Sequence, residues 1–307
     1  MEVLWRGNAN AWECDELGHL NVRFYLAKAA EAVGGLAQKI GMPEAFTRRA
    51  SATLLARSLT VRFLNEVLPG SPLAIRGGVM DFDETRLTAV LIMDHCALGK
   101  PAAAFVVTLS HYAPGAAIAF PWSGRTRAAL ETLRVLPPPE IETRSLDKGA
   151  AERLVSLTRA ERLGLQEVGR GMINAEDTDA FGHMRAEHAF GKISNSVVHF
   201  KTAFPEEHQA FSEGRRPDVS NAVLEARINF RRLPYAGTGY VIRSGVKDAN
   251  EKVRTLVHWV CDPTTGQPLW TMEAVACGLN LTTRRLERTR KETLDALLAA
   301  RIEGLRA

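Results

Sequence analysis

Two short segments of the chain combine residue types that can do acid–base or nucleophilic chemistry. Residues 13–21 read Glu-Cys-Asp-Glu-Leu-Gly-His-Leu-Asn, and residues 177–185 read Asp-Thr-Asp-Ala-Phe-Gly-His-Met-Arg. In both segments an aspartate stands four residues before a histidine, the pairs being Asp15 with His19 and Asp179 with His183. A carboxylate can activate water or attack a carbonyl carbon, and a histidine beside it often orients it. These segments are therefore the first candidates for a catalytic site.

Each segment leads directly into apolar residues at helical spacing. The first copy has Val22, Leu26, Ala29, Ala30, Val33, Leu36, Ala37 and Ile40, and the second has Ala186, Ala189, Phe190, Ile193, Val197 and Phe200. A carboxylate on the loop before a helix lies beside the unpaired N–H groups of the first turn, which favour negative charge. Gly18 and Gly182 would let the backbone of each loop approach a substrate closely.

Simpler interpretations exist for the same side chains. Asp15 and Asp179 could be helix N-caps, since aspartate is favoured at that position. His19 and His183 could serve the structure by bonding loop carbonyls. Cys14 lies next to the first aspartate, but a small buried thiol is the better interpretation of it.

A metal site is a further alternative for the polar residues of the second segment, Asp177, Asp179, His183 and His188. Neither the HExxH nor the HxH spacing of common metal sites is present, so we expect no metal. Gly169-Arg170-Gly171 is too short for a dinucleotide-binding loop, and no cofactor is expected.

The two segments belong to a repeat of a whole domain. Asp15 and His19 recur as Asp179 and His183, both at the same offset along the chain. Further on, Gly70 recurs as Gly237, and the turn Gly99-Lys100-Pro101 recurs as Gly266-Gln267-Pro268. These two landmarks share one offset, which is only slightly longer than that of the acidic segments. Landmarks in the same order at nearly constant spacing indicate a duplication.

Each copy is predicted to contain a strand, a long helix and four further strands. The alternation of Leu59 and Val61 with polar neighbours predicts a strand with one buried face, and Ile228 lies in the matching strand of the second copy. Further strands are predicted at 72–82, 85–96 and 101–112, then at 238–248, 252–262 and 268–281. The predicted domains are 1–112 and 165–282, joined by a linker at 113–164 that contains Pro137-Pro138-Pro139 and followed by a C-terminal helix at 283–307.

Composition excludes several classes of protein. The chain has 307 residues, 46% of them hydrophobic and 24% charged, and a net charge of +4, values typical of globular domains and far from those of a nucleic-acid-binding surface. Four cysteines without paired spacing predict reduced thiols. Charged residues near the N-terminus argue against a signal peptide, and no apolar run is long enough to span a membrane. We expect a soluble, cytoplasmic protein that binds neither nucleic acid nor membrane, and a homodimer of the two-domain chain is compatible with the sequence.

The first segment also resembles a known family. Residues 12–21, with Tyr25 following, resemble the start of acyl-CoA thioesterases of the 4-hydroxybenzoyl-CoA thioesterase-like superfamily, where Asp-x-x-Gly-His-x-Asn runs into the central helix. The resemblance implies an α+β protein with two hotdog domains in tandem, each an antiparallel sheet wrapped around a long central helix. Its double arrangement is similar to that of acyl-acyl-carrier-protein thioesterases, which also fuse two hotdogs.

The resemblance implies roles for individual residues. Asp15 and Asp179 match the catalytic carboxylate, and His19, Asn21 and His183 match polar residues that support substrate or water. Gly18, Tyr25 and Gly182 match positions close to the substrate. The second copy departs from the pattern, because Arg185 stands where the first has Asn21 and Ala189 stands where it has Tyr25.

The implied activity is hydrolysis of an acyl-CoA or acyl-carrier-protein thioester to the free acid and thiol. This reaction needs an activated water or nucleophile, and donors for the oxyanion that develops on the carbonyl. Two alternatives stay open, a non-catalytic acyl-thioester-binding protein and a hotdog hydratase or dehydratase. No second His/Asp or His/Glu motif of the kind used by the hydratases is present.

Overall fold

The structure, a computed structural model, describes residues 1–147 and 149–307. Position 148, inside the predicted linker, lies outside the described residues. The chain forms two compact units: unit 1 comprises Met1–Thr143 and Asp177–His188, and unit 2 comprises Arg144–Glu176 and Ala189–Ala307. The second acidic segment therefore belongs to the same unit as the first.

Unit 1 contains an antiparallel sheet. Its strands are β1 (Glu2–Asn8), β2 (Thr53–Phe63), β3 (Pro72–Phe82), β4 (Arg86–His95), β5 (Lys100–Ala113) and the short β6 (Ile118–Ala119). Hydrogen bonding places them in the order β1-β3-β4-β5-β2, with β6 paired to β5. Leu59 and Val61 of β2 are buried, as the alternation predicts. Gly99, with φ +61°, makes the predicted turn between β4 and β5.

Helix α1 (Val22–Lys39) packs on this sheet and contacts β1, β3 and β4. Apolar residues three and four positions apart give it one buried face, formed by Leu26, Ala29, Val33, Leu36 and Ala37. A Cβ at Gly35 would clash with the backbone of Leu4, so this glycine is what lets the helix approach β1 closely.

Unit 2 contains a sheet with the same topology. Its strands are β7 (Gln166–Met172), β8 (Val219–Phe230), β9 (Gly239–Ala249), β10 (Arg254–Cys261), β11 (Pro268–Asn280) and β12 (Arg285–Glu287). The order β8-β11-β10-β9-β7 repeats that of unit 1 strand for strand, and β12 pairs with β11. Neighbouring strands are antiparallel.

The helix of the second copy is shorter than the sequence predicts. Helix α4 spans Ala186–Ser194, and a 3-10 turn at Val197–His199 replaces its continuation. Ser196 Oγ donates to the Lys192 carbonyl at 2.9 Å, a local bond that competes with regular helix geometry. A separate helix α5 (Pro205–Ser212) follows.

The repeat includes a helix after each sheet. Helix α2 (Gly124–Thr132) contacts β3, and α6 (Lys291–Ala299), its counterpart at the offset of the repeated glycine turns, contacts β9. The chain then returns to each sheet through equivalent parallel bridges, Arg134–Val79 in unit 1 and Arg301–Val246 in unit 2. Leu130 and Leu297 are the equivalent fully buried residues of these helices.

The second half of the predicted linker packs in unit 2. Helix α3 (Leu157–Arg162) and the C-terminal residues close an apolar cluster formed by Val155, Ala160, Leu165, Val241, Val257, Trp259, Cys261, Leu305 and Ala307. Trp259 Nε1 donates to the Arg306 carbonyl at 2.8 Å. Carboxylate oxygens of Glu225 accept the backbone N–H groups of Arg144 and Ser145, which fixes the chain where it enters the unit.

Both units therefore combine an antiparallel sheet with helices packed on it, which confirms the predicted α+β class. Within the described residues, no helix combines the length and the apolar character needed to cross a membrane.

The burial of α6 gives a test of this arrangement. We expect Leu297→Ala to lower the free energy of unfolding of unit 2 by about 2–4 kcal/mol, because it opens a cavity in the core. The neighbouring Leu298 is 42% exposed, and Leu298→Ala is the matched control, with an expected cost below about 1 kcal/mol. Urea unfolding followed by the fluorescence of the buried Trp259 and Trp270 measures both. Equal losses would contradict the packing of α6.

Candidate active site

The residues from Asp15 to His19 form a tight loop just before α1. Asp15 N–H donates to the His19 carbonyl and Gly18 N–H donates to the Asp15 carbonyl, both at 3.0 Å. Gly18 has φ +78°, and a Cβ there would meet nothing within 4 Å. Glycine is thus required by the backbone conformation and not by a lack of space.

The Asp15 carboxylate is held from three directions. Its Oδ1 accepts the Leu17 N–H at 3.1 Å, its Oδ2 accepts Asn21 Nδ2–H at 3.2 Å, and His19 Nε2 lies 3.6 Å from Oδ1. The Asp15 side chain is 15% exposed. This burial raises the pKa of the Asp15 carboxyl above its ordinary range, although His19 and the Leu17 N–H act in the opposite direction. A partly desolvated carboxylate of raised pKa is a stronger proton acceptor.

Asn21 joins the loop to the helix. It is the N-cap of α1, since its Oδ1 accepts the Arg23 N–H at 3.0 Å. The same amide group donates to Asp15. The capping interpretation of Asp15 is therefore wrong: the asparagine caps the helix and leaves the carboxylate in the loop.

A buried ion pair connects the start of the loop to α1. Lys28 Nζ, on the second turn of α1, lies 2.8 Å from Glu13 Oε2, and the two side chains are 4% and 12% exposed. Glu13 also accepts the Asn10 N–H at 2.8 Å. Between this pair and Asp15, Cys14 donates its thiol to the Asn10 carbonyl. Burial and the neighbouring carboxylates raise the pKa of the Cys14 thiol, which disfavours the nucleophilic thiolate.

A residue that the motif does not contain completes the surroundings of His19. Glu66, just after β2, places Oε1 3.1 Å from His19 Nδ1. His19 therefore has a carboxylate near each ring nitrogen, Asp15 on one side and Glu66 on the other. Glu66 is far from the loop in sequence and belongs to no motif, so no local pattern in a single sequence indicates it.

Tyr25 lies on the first turn of α1 and is buried. Its ring packs edge-on against Phe63 at 5.1 Å between centroids. Burial raises the pKa of the Tyr25 hydroxyl, with the charge of Glu66 adding to the effect and a hydrogen bond with the Val67 backbone opposing it. The phenol is therefore neutral beside the loop.

The second acidic segment has the same loop backbone. Asp179 N–H donates to the His183 carbonyl at 2.8 Å, and Gly182, with φ +84°, donates its N–H to the Asp179 carbonyl at 3.1 Å. Asp179 Oδ1 accepts the N–H groups of Phe181 and His183. Its side chain is 29% exposed, about twice the exposure of Asp15. His183 Nδ1 lies 3.9 Å from the carboxylate.

The side chains around the second loop differ from those of the first. The Arg185 guanidinium contacts Glu187 at 3.3 Å and His188 at 2.9 Å, and His188 lies 3.0 Å from Asp177. Burial raises the pKa of the Glu187 carboxyl. Because Arg185 replaces the asparagine, this loop lacks the amide that binds both the helix and the carboxylate in the first copy.

The four residues considered above as possible metal ligands do not form one cluster. Asp177 and His188 form a contact of their own, while Asp179 and His183 belong to the loop. In residues 1–147 and 149–307, no group of three or more His, Cys, Asp or Glu side chains is arranged to hold a metal ion.

A shallow cleft of about 480 Å³ lies in unit 2, between β7 and the turn at Val197–His199. Neither acidic loop contributes to its lining.

Both copies match the same protein family. A family model of the thioesterase-like superfamily matches residues 9–135 and 173–297. The two matches cover most of the chain and include both acidic loops. The chain therefore belongs to this superfamily.

Two solved structures are similar to this chain over most of its length, both copies included. An acyl-ACP thioesterase from Bacteroides thetaiotaomicron is 12% identical, with a TM-score of 0.62 over 89% of this chain and 96% of that one. The 12:0-ACP thioesterase from Umbellularia californica is 9% identical, with a TM-score of 0.63 over 89% of this chain and 93% of that one. These similarities, with the double family match, confirm the predicted tandem hotdog fold. A comparison with curated protein sequences gives no match.

The contribution of the Lys28–Glu13 ion pair can be tested directly. We expect Lys28→Met to lower the free energy of unfolding of unit 1 by about 3 kcal/mol, because it leaves the buried Glu13 carboxylate without its cation. Lys39→Met is the control on the same helix, since the Lys39–Glu2 pair is about half exposed and should contribute less than about 1 kcal/mol. Urea unfolding followed by tryptophan fluorescence compares the two. Indistinguishable losses would contradict the anchoring role.

Proposed function

We propose that this member of the thioesterase-like superfamily hydrolyses acyl thioesters, with Asp15 as the catalytic carboxylate. One observation carries the proposal: a partly buried carboxylate of raised pKa is held by Asn21 and His19 directly before the first turn of α1. The loop thus combines a base with a helix N-terminus, the two elements that thioester hydrolysis requires.

In the proposed reaction Asp15 acts as a general base. It removes a proton from a water molecule, whose oxygen forms a bond to the thioester carbon. The carbonyl π electrons move to oxygen, and backbone N–H groups of the loop and the first turn of α1 stabilise that oxyanion. When the carbonyl re-forms, the carbon–sulfur bond breaks, and the thiol and the acid are released.

Several neighbours support this chemistry. Asn21 fixes the rotamer of the Asp15 carboxylate, and Gly18 gives the loop the left-handed turn that brings Asp15 and His19 together. Tyr25 provides a neutral, buried wall next to the loop. We propose that Gly18 and Tyr25 contact the substrate near the reacting carbonyl.

We propose CoA or acyl-carrier-protein thioesters as the substrates. Both present the acyl group on the same phosphopantetheine arm, and the net charge of +4 is compatible with these acidic carriers. The two thioesterases with the same fold are named for acyl-ACP substrates, which supports the carrier-protein form. The free thiols of Cys14, Cys96, Cys261 and Cys277 support a reducing compartment such as the cytoplasm.

The second loop is proposed to contribute less. Asp179, His183 and Gly182 keep the backbone of the first loop, but Asp179 is more exposed and Arg185 has replaced the asparagine. Without the asparagine amide, the Asp179 carboxylate is less well oriented for proton transfer.

Comparing the two loops tests the function. We expect the wild type to release thiol from a panel of acyl-CoA and acyl-carrier-protein thioesters, and Asp15→Ala to lower kcat/KM at least ~100-fold, the scale of a positioned base. Asp179→Ala is the matched control, with a much smaller loss. Thiol release is followed with a chromogenic disulfide. Binding without turnover would favour the acyl-thioester-binding alternative, and a folded, fully active Asp15→Ala would exclude Asp15 as the base.

The expected pH dependence of kcat/KM follows from the raised pKa of Asp15. The base must be ionised to accept a proton, so kcat/KM should rise with pH through the pKa of Asp15, with its midpoint above the ordinary value of 3.8. Asp179→Asn should leave this midpoint in place. A midpoint at or below 3.8, measured with a thioester that is stable across the range, would contradict the burial effect.

A further inference from the structure

His19 lies between two carboxylates that come from different parts of the chain. Its Nε2 is 3.6 Å from Asp15 Oδ1, and its Nδ1 is 3.1 Å from Glu66 Oε1. A carboxylate bound to one imidazole nitrogen fixes the ring and keeps the proton on that nitrogen. Because Glu66 occupies Nδ1, the nitrogen that faces the catalytic carboxylate is Nε2.

Glu66 is itself held in place by its neighbours. The next residue, Val67, is fully buried, and its carbonyl accepts the Leu20 N–H at 2.8 Å. The Val67 backbone also bonds the Tyr25 hydroxyl. The segment after β2 is thus tied both to the end of the loop and to the first turn of α1, which fixes the backbone of Glu66 next to His19.

The second copy lacks this carboxylate. The segment after β8 repeats the backbone pattern of the segment after β2, and the two are separated by the offset of the repeated glycine turns. Arg231 and Arg232 N–H both donate to the Leu269 carbonyl, as the N–H groups of the matching residues 64 and 65 donate to the carbonyl of residue 102. Leu233 then stands where Glu66 stands. A glutamate at this position, and an asparagine two residues after the histidine, are therefore found in the first copy and not in the second.

We propose that Glu66 is a positioning residue that holds His19 as the proton donor to the leaving sulfur. The inference rests on the proposed hydrolysis. Asp15 takes the proton of the attacking water while the carbon–oxygen bond forms. The proton then moves from Asp15 to His19 Nε2, and as the carbon–sulfur bond breaks it passes from Nε2 to sulfur. The net reaction consumes one water and releases acid and thiol.

The leaving group provides the test. An alkyl thiolate is a strong base and needs a proton as it leaves, whereas a nitrothiophenolate is a weak base and leaves without one. We expect Glu66→Gln and Glu66→Leu to lower kcat at least ~10-fold on an acyl-CoA, with a small change in KM. On the nitrothiophenyl ester of the same acid, kcat should stay within about 2-fold, because proton donation contributes little there. Adding His19→Ala to Glu66→Leu should cause little further loss on the acyl-CoA, since both changes remove one function.

Controls separate this role from a structural one. Glu16→Gln removes an exposed carboxylate of the same loop and should leave the ratio of the two rates unchanged. Circular dichroism and urea midpoints verify folding, and the isosteric Glu66→Gln covers the case in which Glu66→Leu does not fold. A wild type that hydrolyses neither ester would overturn the proposed function. An active wild type whose Glu66 variants slow both esters equally, or neither, would overturn the positioning role alone.

Discussion

The first site depends on the double role of one amide. Asn21 Oδ1 caps α1 while Nδ2 binds Asp15, so the start of the helix and the orientation of the carboxylate are fixed by the same side chain. An N-cap must stand at the boundary between loop and helix. The Asp15 carboxylate is thereby held near the N-terminus of α1, where the helix dipole favours negative charge.

The Glu13–Lys28 ion pair adds a second connection between the loop and α1. A short loop closed by backbone hydrogen bonds can still move as a body, and the Glu13–Lys28 pair restrains it against the second turn of α1. Such a pair contributes little net stability once desolvation is counted, but it penalises every arrangement in which either charge is buried alone. The main effect of the Glu13–Lys28 pair is therefore to fix the position of the loop relative to α1.

Local patterns made much of the structure predictable. Period-two alternation, helical spacing and the repeated glycine turns indicated the order of elements in each copy, because each depends on residues close in sequence. The break of the second helix after Ser194 and the packing of the predicted linker into unit 2 depend on local competition and on burial by distant strands. Glu66 was not predictable either, because its contact with His19 exists only after β2 has packed.

The two loops share a backbone conformation but differ in the side chains around it. Both close through the same hydrogen bonds around a glycine with positive φ, so both present an aspartate before a helix. The difference lies in the residues around the aspartate. In the first copy an asparagine and a glutamate bind the aspartate and its histidine, and in the second an arginine and a leucine occupy those positions. The loop conformation is thus kept by backbone hydrogen bonds in both copies, while the proposed catalysis depends on side chains that stand at these positions in the first copy.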